Sequence, residues 1–165
     1  MNCNHNCDNC NSSCGVKCPI CGSASIAVSG ITVVHLTKNV KVNDINKDYH
    51  ICINRSCDVA YFDDNGNTID KSNVNVPIWF KEKFQKYIVC YCENITLEDV
   101  FEAVAALKDK SYDIITKENI YKYYNKKHNH TAYDCLIKNP IGKSCDRLME
   151  NAIEAALENI SNKNK

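Results

Sequence analysis

Val89-Cys90-Tyr91-Cys92-Glu93-Asn94-Ile95-Thr96-Leu97-Glu98-Asp99-Val100-Phe101 is the stretch on which the reading of this chain turns. It begins with a Cys-x-Cys pair and ends by opening a helix. Thr96 is a good N-cap, Glu98 falls in the first turn, and Asp99 stands three residues after the cap. Val100, Phe101, Val104 and Leu107 then mark one apolar face. Downstream the pattern stays helical. Thr116 caps a tyrosine-rich helix with Ile120, Tyr121 and Tyr124. A last helix is predicted from about Cys145 to Ile160, burying Leu148, Met149, Ala152, Ile153, Ala156 and Leu157.

Upstream, from Val16 to about Ser72, the pattern is β. Ala24-Ser25-Ile26-Ala27-Val28 and Ile31-Thr32-Val33-Val34 are β-branched runs, and Tyr49-His50-Ile51-Cys52-Ile53 alternates. Val59-Ala60-Tyr61-Phe62 leads into an Asn65-Gly66 turn with Thr68-Ile69 returning, a hairpin signal. The predicted fold is therefore α+β: a small β-rich zinc ribbon followed by a helical domain of the 2Fe–2S type. The organisation expected is a cysteine-rich flexible tail over 1–16, the ribbon over 17–75, an aromatic connector over 76–87, the helical domain over 88–160 and a disordered tail over 161–165. Trp79 and Phe80 of the connector are expected to pack the two halves together.

Length and composition narrow the function. At 165 residues the chain holds one ordinary domain or two small ones, and it carries 12 cysteines. Met1-Asn2-Cys3-Asn4-His5 lacks a basic start and an apolar segment, so a cytoplasmic location is expected, with no membrane span. Cysteines in paired knuckles then point to metal binding rather than disulfides. Net charge is zero with no Lys/Arg block. Metallation of four-thiolate sites adds about −2 per site, which argues against nucleic acid as a partner.

Three cysteine constellations carry the chemistry. Cys18-Pro19-Ile20-Cys21-Gly22 and Cys52-Ile53-Asn54-Arg55-Ser56-Cys57 are two knuckles bracketing the β segments. Their four thiolates suit a closed tetrahedral zinc, which staples a module poor in core residues. His35 and His50 lie nearby and could replace a Cys ligand, with a strand or surface histidine the preferred reading. Cys90 and Cys92 form a second quartet with Cys135 and Cys145, the latter pair enclosing the Pro/Gly loop Lys138-Asn139-Pro140-Ile141-Gly142-Lys143. Four thiolates from two tight loops suit a 2Fe–2S cluster. The helix starts at Thr96 and Cys145 are expected to face it, and a second structural zinc is the alternative. Cys3, Cys7, Cys10 and Cys14, with His5 among them, suit Cu(I) or Zn²⁺, or form a tail with no dedicated metal. His128 and His130 read as a solvated turn. No catalytic arrangement stands out beyond the metals, so enzymatic activity is not expected, with metal reduction the one option left.

The motifs Cys18-Pro19-x-Cys21, Ile31-Thr32-Val33, Cys52-x4-Cys57-Asp58-Val59-Ala60-Tyr61-Phe62, Val76-Pro77-Ile78-Trp79-Phe80-Lys81, Val89-Cys90-Tyr91-Cys92 and Lys138-Asn139-Pro140-x-Gly142-Lys143-x-Cys145 together resemble the amino-terminal domain of the CopZ copper chaperone family. The likeness spans residues 17 to about 150. It implies zinc on Cys18, Cys21, Cys52 and Cys57. It also implies a 2Fe–2S cluster on Cys90, Cys92, Cys135 and Cys145, in a half similar to bacterioferritin-associated ferredoxin. Three features differ: Ser144 replaces the first of two adjacent cysteines, the Cys92–Cys135 segment is longer, and no Met-x-Cys-x-x-Cys copper loop occurs. The function expected is one-electron transfer in copper or iron handling. Its partners would be a copper or iron transport or storage protein, or a separate copper chaperone domain, and a redox partner. The alternatives are a soft-metal chaperone or redox sensor binding Cu(I) or zinc through the tail, and a zinc-ribbon adaptor without a redox role.

Overall fold

The computed structural model describes residues 15–38, 45–81, 87–110, 114–126 and 131–163. Strand β1 (Ser25–Ser29) leads directly into helix α1 (Gly30–Leu36). Strands β2 (Asp48–Cys52), β3 (Val59–Asp63) and β4 (Thr68–Asp70) then complete an antiparallel meander in the order β1-β2-β3-β4. The expected Asn65-Gly66 turn closes β3 onto β4, pairing Tyr61 with Ile69 and Phe62 with Thr68. Gly66 takes φ +81°, and the Asp63 carboxylate accepts from the backbone N–H groups of Asn65 and Asn67 at 3.0 and 2.9 Å. All five residues of β3 are buried. The ribbon core gathers Val28, Val33, Leu36, Tyr49, Ile51, Ala60, Tyr61, Ile69, Ile78 and Phe80.

One predicted strand is a helix. Ile31-Thr32-Val33-Val34 lies within α1, where a helical turn buries Thr32, Val33 and Leu36 and leaves Val34 and His35 exposed. β-branching lowers helix propensity by only a few tenths of a kcal/mol per residue, about the worth of one contact. Here the contacts are specific. Thr32 Oγ1 donates to the Leu136 carbonyl at 2.5 Å, and the Asn75 N–H caps the Leu36 carbonyl at 2.7 Å.

In the second half a short ribbon of β5 (Ile88–Cys90) and β6 (Ile95–Thr96) leads into helix α2 (Leu97–Asp109). The capping box is as expected: the Thr96 N–H donates to Asp99 Oδ2 at 2.7 Å and the Asp99 N–H to Thr96 Oγ1 at 3.2 Å. Helix α3 (Lys117–Tyr123) follows Thr116, again with a capping box, now closed by Asn119. Helix α4 (Ala132–Lys138), absent from the sequence reading, carries Cys135. Helix α5 (Asp146–Lys163) buries Met149, Ala152, Ile153 and Ala156 against α2, keeps Leu148 and Leu157 half-buried, and runs three residues beyond the predicted end at Ile160.

The halves meet through two routes. Trp79 packs edge-on to Phe80 at 4.9 Å and against Tyr87 at 4.7 Å, and so spans both cores. The second route was not anticipated. α1 lies on α4, Ile141 packs into the ribbon core, and the buried Tyr61 hydroxyl donates to the Pro140 carbonyl at 2.8 Å. The loop between Cys135 and Cys145 thus rests on the ribbon sheet.

Candidate metal centres

The first quartet forms because two tight turns end at the sheet margin. In the first knuckle the Gly22 N–H returns to the Cys18 carbonyl and the Cys18 N–H donates to the Ser23 carbonyl, both at 2.9 Å, with Gly22 at φ +69°. In the second, Asn54 Oδ1 accepts from the Ser56 N–H at 2.9 Å, and its Nδ2 reaches Ser23 Oγ of the first knuckle at 3.2 Å. β2 delivers Cys52, and the strand pairing places it opposite Ser25.

The result is a compact sulfur cluster. All four Sγ atoms of Cys18, Cys21, Cys52 and Cys57 lie within 4.8 Å of one another, and Cys21 and Cys52 are 3.6 Å apart. A tetrahedral zinc with bonds of about 2.3 Å needs sulfur separations of about 3.8 Å, so the donor set fits that ion. Cys18, Cys52 and Cys57 are buried and Cys21 is exposed. Hydrogen bonds from Ser23 pull the Cys21 thiol down to about 6, whereas burial pushes Cys52 up to about 12 and raises Cys57. His50 is no ligand here. It stacks on Phe62 and bonds Asp64 at 3.0 Å, while His35 points outward from α1.

The second quartet is assembled from four places. Cys90 ends β5, Cys92 sits in the turn after it, Cys135 lies mid-way along α4, and Cys145 immediately precedes α5. Asn94 at φ +53° closes the turn, a conformation asparagine tolerates. The sulfurs associate as pairs: Cys92 and Cys135 are 4.0 Å apart, and Cys145 neighbours Cys90. Among the described residues only the first quartet draws all its sulfurs within 4.8 Å, so the second is more open. A cavity of about 220 Å³ lies among its four cysteines, Tyr121, Thr131, Ala132, Ser144 and Asp146.

Polar groups converge on Cys90. Cys145, the Tyr121 hydroxyl at 3.5 Å and the backbone N–H groups of Glu93 and Cys92 hold its thiol down at about 6 against burial. Burial and the neighbouring thiolates push Cys92 up to about 12, and Cys145 is raised by its bond to Cys90. The starts of α4 and α5 line the cavity. Tyr91, between the two cysteines, ties the site to the connector. It donates to the Pro77 carbonyl at 2.7 Å and accepts from the Trp79 N–H at 3.2 Å.

Sequence reasoning missed α4, Tyr91 and Tyr121 as parts of this site. For α4 a signal existed, because Thr131 followed by Asp134 repeats the capping pattern read at Thr96. The tail cysteines Cys3, Cys7, Cys10 and Cys14, and the pair His128 and His130, lie outside the described residues. All eight described cysteines are free thiols, and among the described residues no helix is long and apolar enough to cross a membrane.

Residues 15–75 match the CopZ zinc-binding family, whose model is described as a zinc binding domain. The chain is similar to the copper chaperone CopZ of Archaeoglobus fulgidus, with 27% identity over 131 residues. That match takes in 79% of this chain and 58% of the relative, so the chain spans little more than half of the relative's length. The X-ray structure of the Archaeoglobus fulgidus CopZ N-terminal domain superposes with a TM-score of 0.60 over 82% of this chain and 96% of that one. At 24% identity this second likeness establishes a shared fold. The ribbon half accordingly matches the model of a zinc binding domain, within a mixed α+β protein.

Proposed function

We propose that the chain is a metal-handling protein of the copper-chaperone kind, with the labour divided between its two quartets. Zinc on Cys18, Cys21, Cys52 and Cys57 is the frame, and Cys90, Cys92, Cys135 and Cys145 are the working centre. The observation that carries the proposal is the contrast between the quartets. One closes on a single point, as a structural tetrathiolate ion requires, and the other is an open arrangement of two sulfur pairs beside a cavity. The likeness to a protein named a copper chaperone supports the copper context.

For the working centre, two pairs that do not converge suit two metal ions better than one, and the proposed occupant is a 2Fe–2S cluster in a half of the bacterioferritin-associated-ferredoxin kind. Such a cluster would supply one-electron transfer. The chain's own residues supply the setting. Tyr121, Cys92 and Glu93 direct donors at Cys90, and the α5 N-terminus offsets the thiolate charge. A copper transport or storage protein, or a separate copper chaperone domain, would be the partner.

The second reading is direct soft-metal carriage, in which the same thiolates hold Cu(I). It is favoured by the relative's name and by the affinity of thiolates for that ion. Visible absorption and EPR spectra of anaerobically purified protein, before and after dithionite, separate the two when iron, copper and zinc are counted. A red-brown protein with two irons and one zinc, giving a one-electron signal on reduction, establishes the cluster. A colourless protein that binds Cu(I) stoichiometrically establishes carriage and rules out electron transfer.

A further inference from the structure

Lys81 is 2% exposed, and it lies beyond the matched zinc-binding region. Its Nζ donates to the carbonyl of Asn54 at 2.7 Å and to that of Cys57 at 3.2 Å, both in the second zinc knuckle. The Phe80 ring is its neighbour, with the centroid 6.0 Å away. No carboxylate among the described residues pairs with it. A buried ammonium held only by carbonyl dipoles is costly unless a negative charge lies close by.

That negative charge is present in the knuckle itself. Four thiolates around Zn²⁺ carry about −2, and three of these four cysteines are buried. Each partner is therefore a buried charge that lacks compensation without the other.

We infer that Lys81 is the built-in counter-charge of the zinc centre. It tightens zinc by offsetting the excess negative charge, and its two hydrogen bonds hold the second knuckle in the geometry the ion needs. The connector is then part of the metal site as well as a packing element. The inference rests on the zinc reading of this quartet.

The test is zinc affinity of the full-length, zinc-loaded chain, measured by competition with a chromophoric chelator. Lys81→Gln removes the charge but keeps a donor for the two carbonyls, whereas Lys81→Met removes both. The charge role predicts that Lys81→Gln loses zinc affinity by about tenfold or more, and the two hydrogen bonds predict that Lys81→Met loses more still. It also predicts a red shift of the thiolate-to-metal band in the cobalt-substituted Gln variant, since the thiolates become better donors. Native affinity in Lys81→Gln, or an unmoved cobalt band, overturns the inference. Should the Gln variant fail to fold, Lys81→Arg decides: retained zinc supports the charge role and lost zinc overturns it. A native chain that takes up no zinc removes the zinc reading itself, and that result is seen before any variant is compared.

Discussion

Gly142→Ala is the substitution that most directly probes how the ribbon holds the second quartet. Gly142 has φ +63°, and a Cβ built there would sit 2.5 Å from Thr32 Oγ1. An L-residue in this backbone region costs roughly 1–2 kcal/mol. The contact cannot be relieved freely, because Thr32 is fully buried and its hydroxyl is committed to the Leu136 carbonyl at 2.5 Å. Rotating it away leaves the buried Thr32 hydroxyl without its acceptor, at about 1–3 kcal/mol. The sum, about 2–5 kcal/mol, is a large share of the 5–15 kcal/mol typical of a domain. Since Gly142 lies between Cys135 and Cys145, the strain falls on the second site. The expected outcome is a lower urea midpoint and loss of metal from the second quartet, while zinc in the ribbon stays. Adding Thr32→Ala removes the clashing atom, so the double variant recovers about 1 kcal/mol or more relative to additivity. A Gly142→Ala protein within about 0.5 kcal/mol of native, or one showing no coupling to Thr32→Ala, would refute the docking argument.

Three further outcomes are expected. Tyr61→Phe deprives the Pro140 carbonyl of its buried donor and costs about 1–2 kcal/mol in denaturant unfolding, with zinc content unchanged. Trp79→Phe costs less than about 1 kcal/mol by circular dichroism, because the indole N–H it removes is buried without a partner among the described residues and already carries a penalty. Asp63 gives an acid-side signature. Burial alone would raise its carboxyl, but hydrogen bonds from Asn67 and Asn65 outweigh that and hold it below the ordinary range. The stabilisation is therefore complete above the unfolded carboxylate value of about 3.9 and is lost as pH falls through the lower folded value. Asp63→Asn should flatten the stability profile in that acid window and nowhere else.

How far the sequence could be read depended on the range of the interaction that formed each element. The capping boxes at Thr96 and Thr116 are three-residue codes, and both helices begin where the code places them. The Asn65-Gly66 hairpin is equally local. α4 carries the same code at Thr131, yet the sequence pattern assigns no element there, because seven residues give too few turns for an apolar period to stand out. Ile31–Val34 failed for the opposite reason: a clear local β pattern was overridden by packing against α4 and the Gly142 loop.

The sequence by itself determined the mixed α+β character and the two knuckles of Cys18/Cys21 and Cys52/Cys57, because a thiolate site needs close spacing along the chain and turn residues beside it. Tertiary structure alone decided that Cys18, Cys21, Cys52 and Cys57 close to within 4.8 Å while the second quartet stays open as pairs. It also decided that Lys81 lies beneath the zinc knuckle and that Tyr61 reaches Pro140 across 79 residues. Such contacts leave no periodic trace. A single hydrogen bond between distant segments is specified by the summed packing of both cores, and no window of sequence contains that sum.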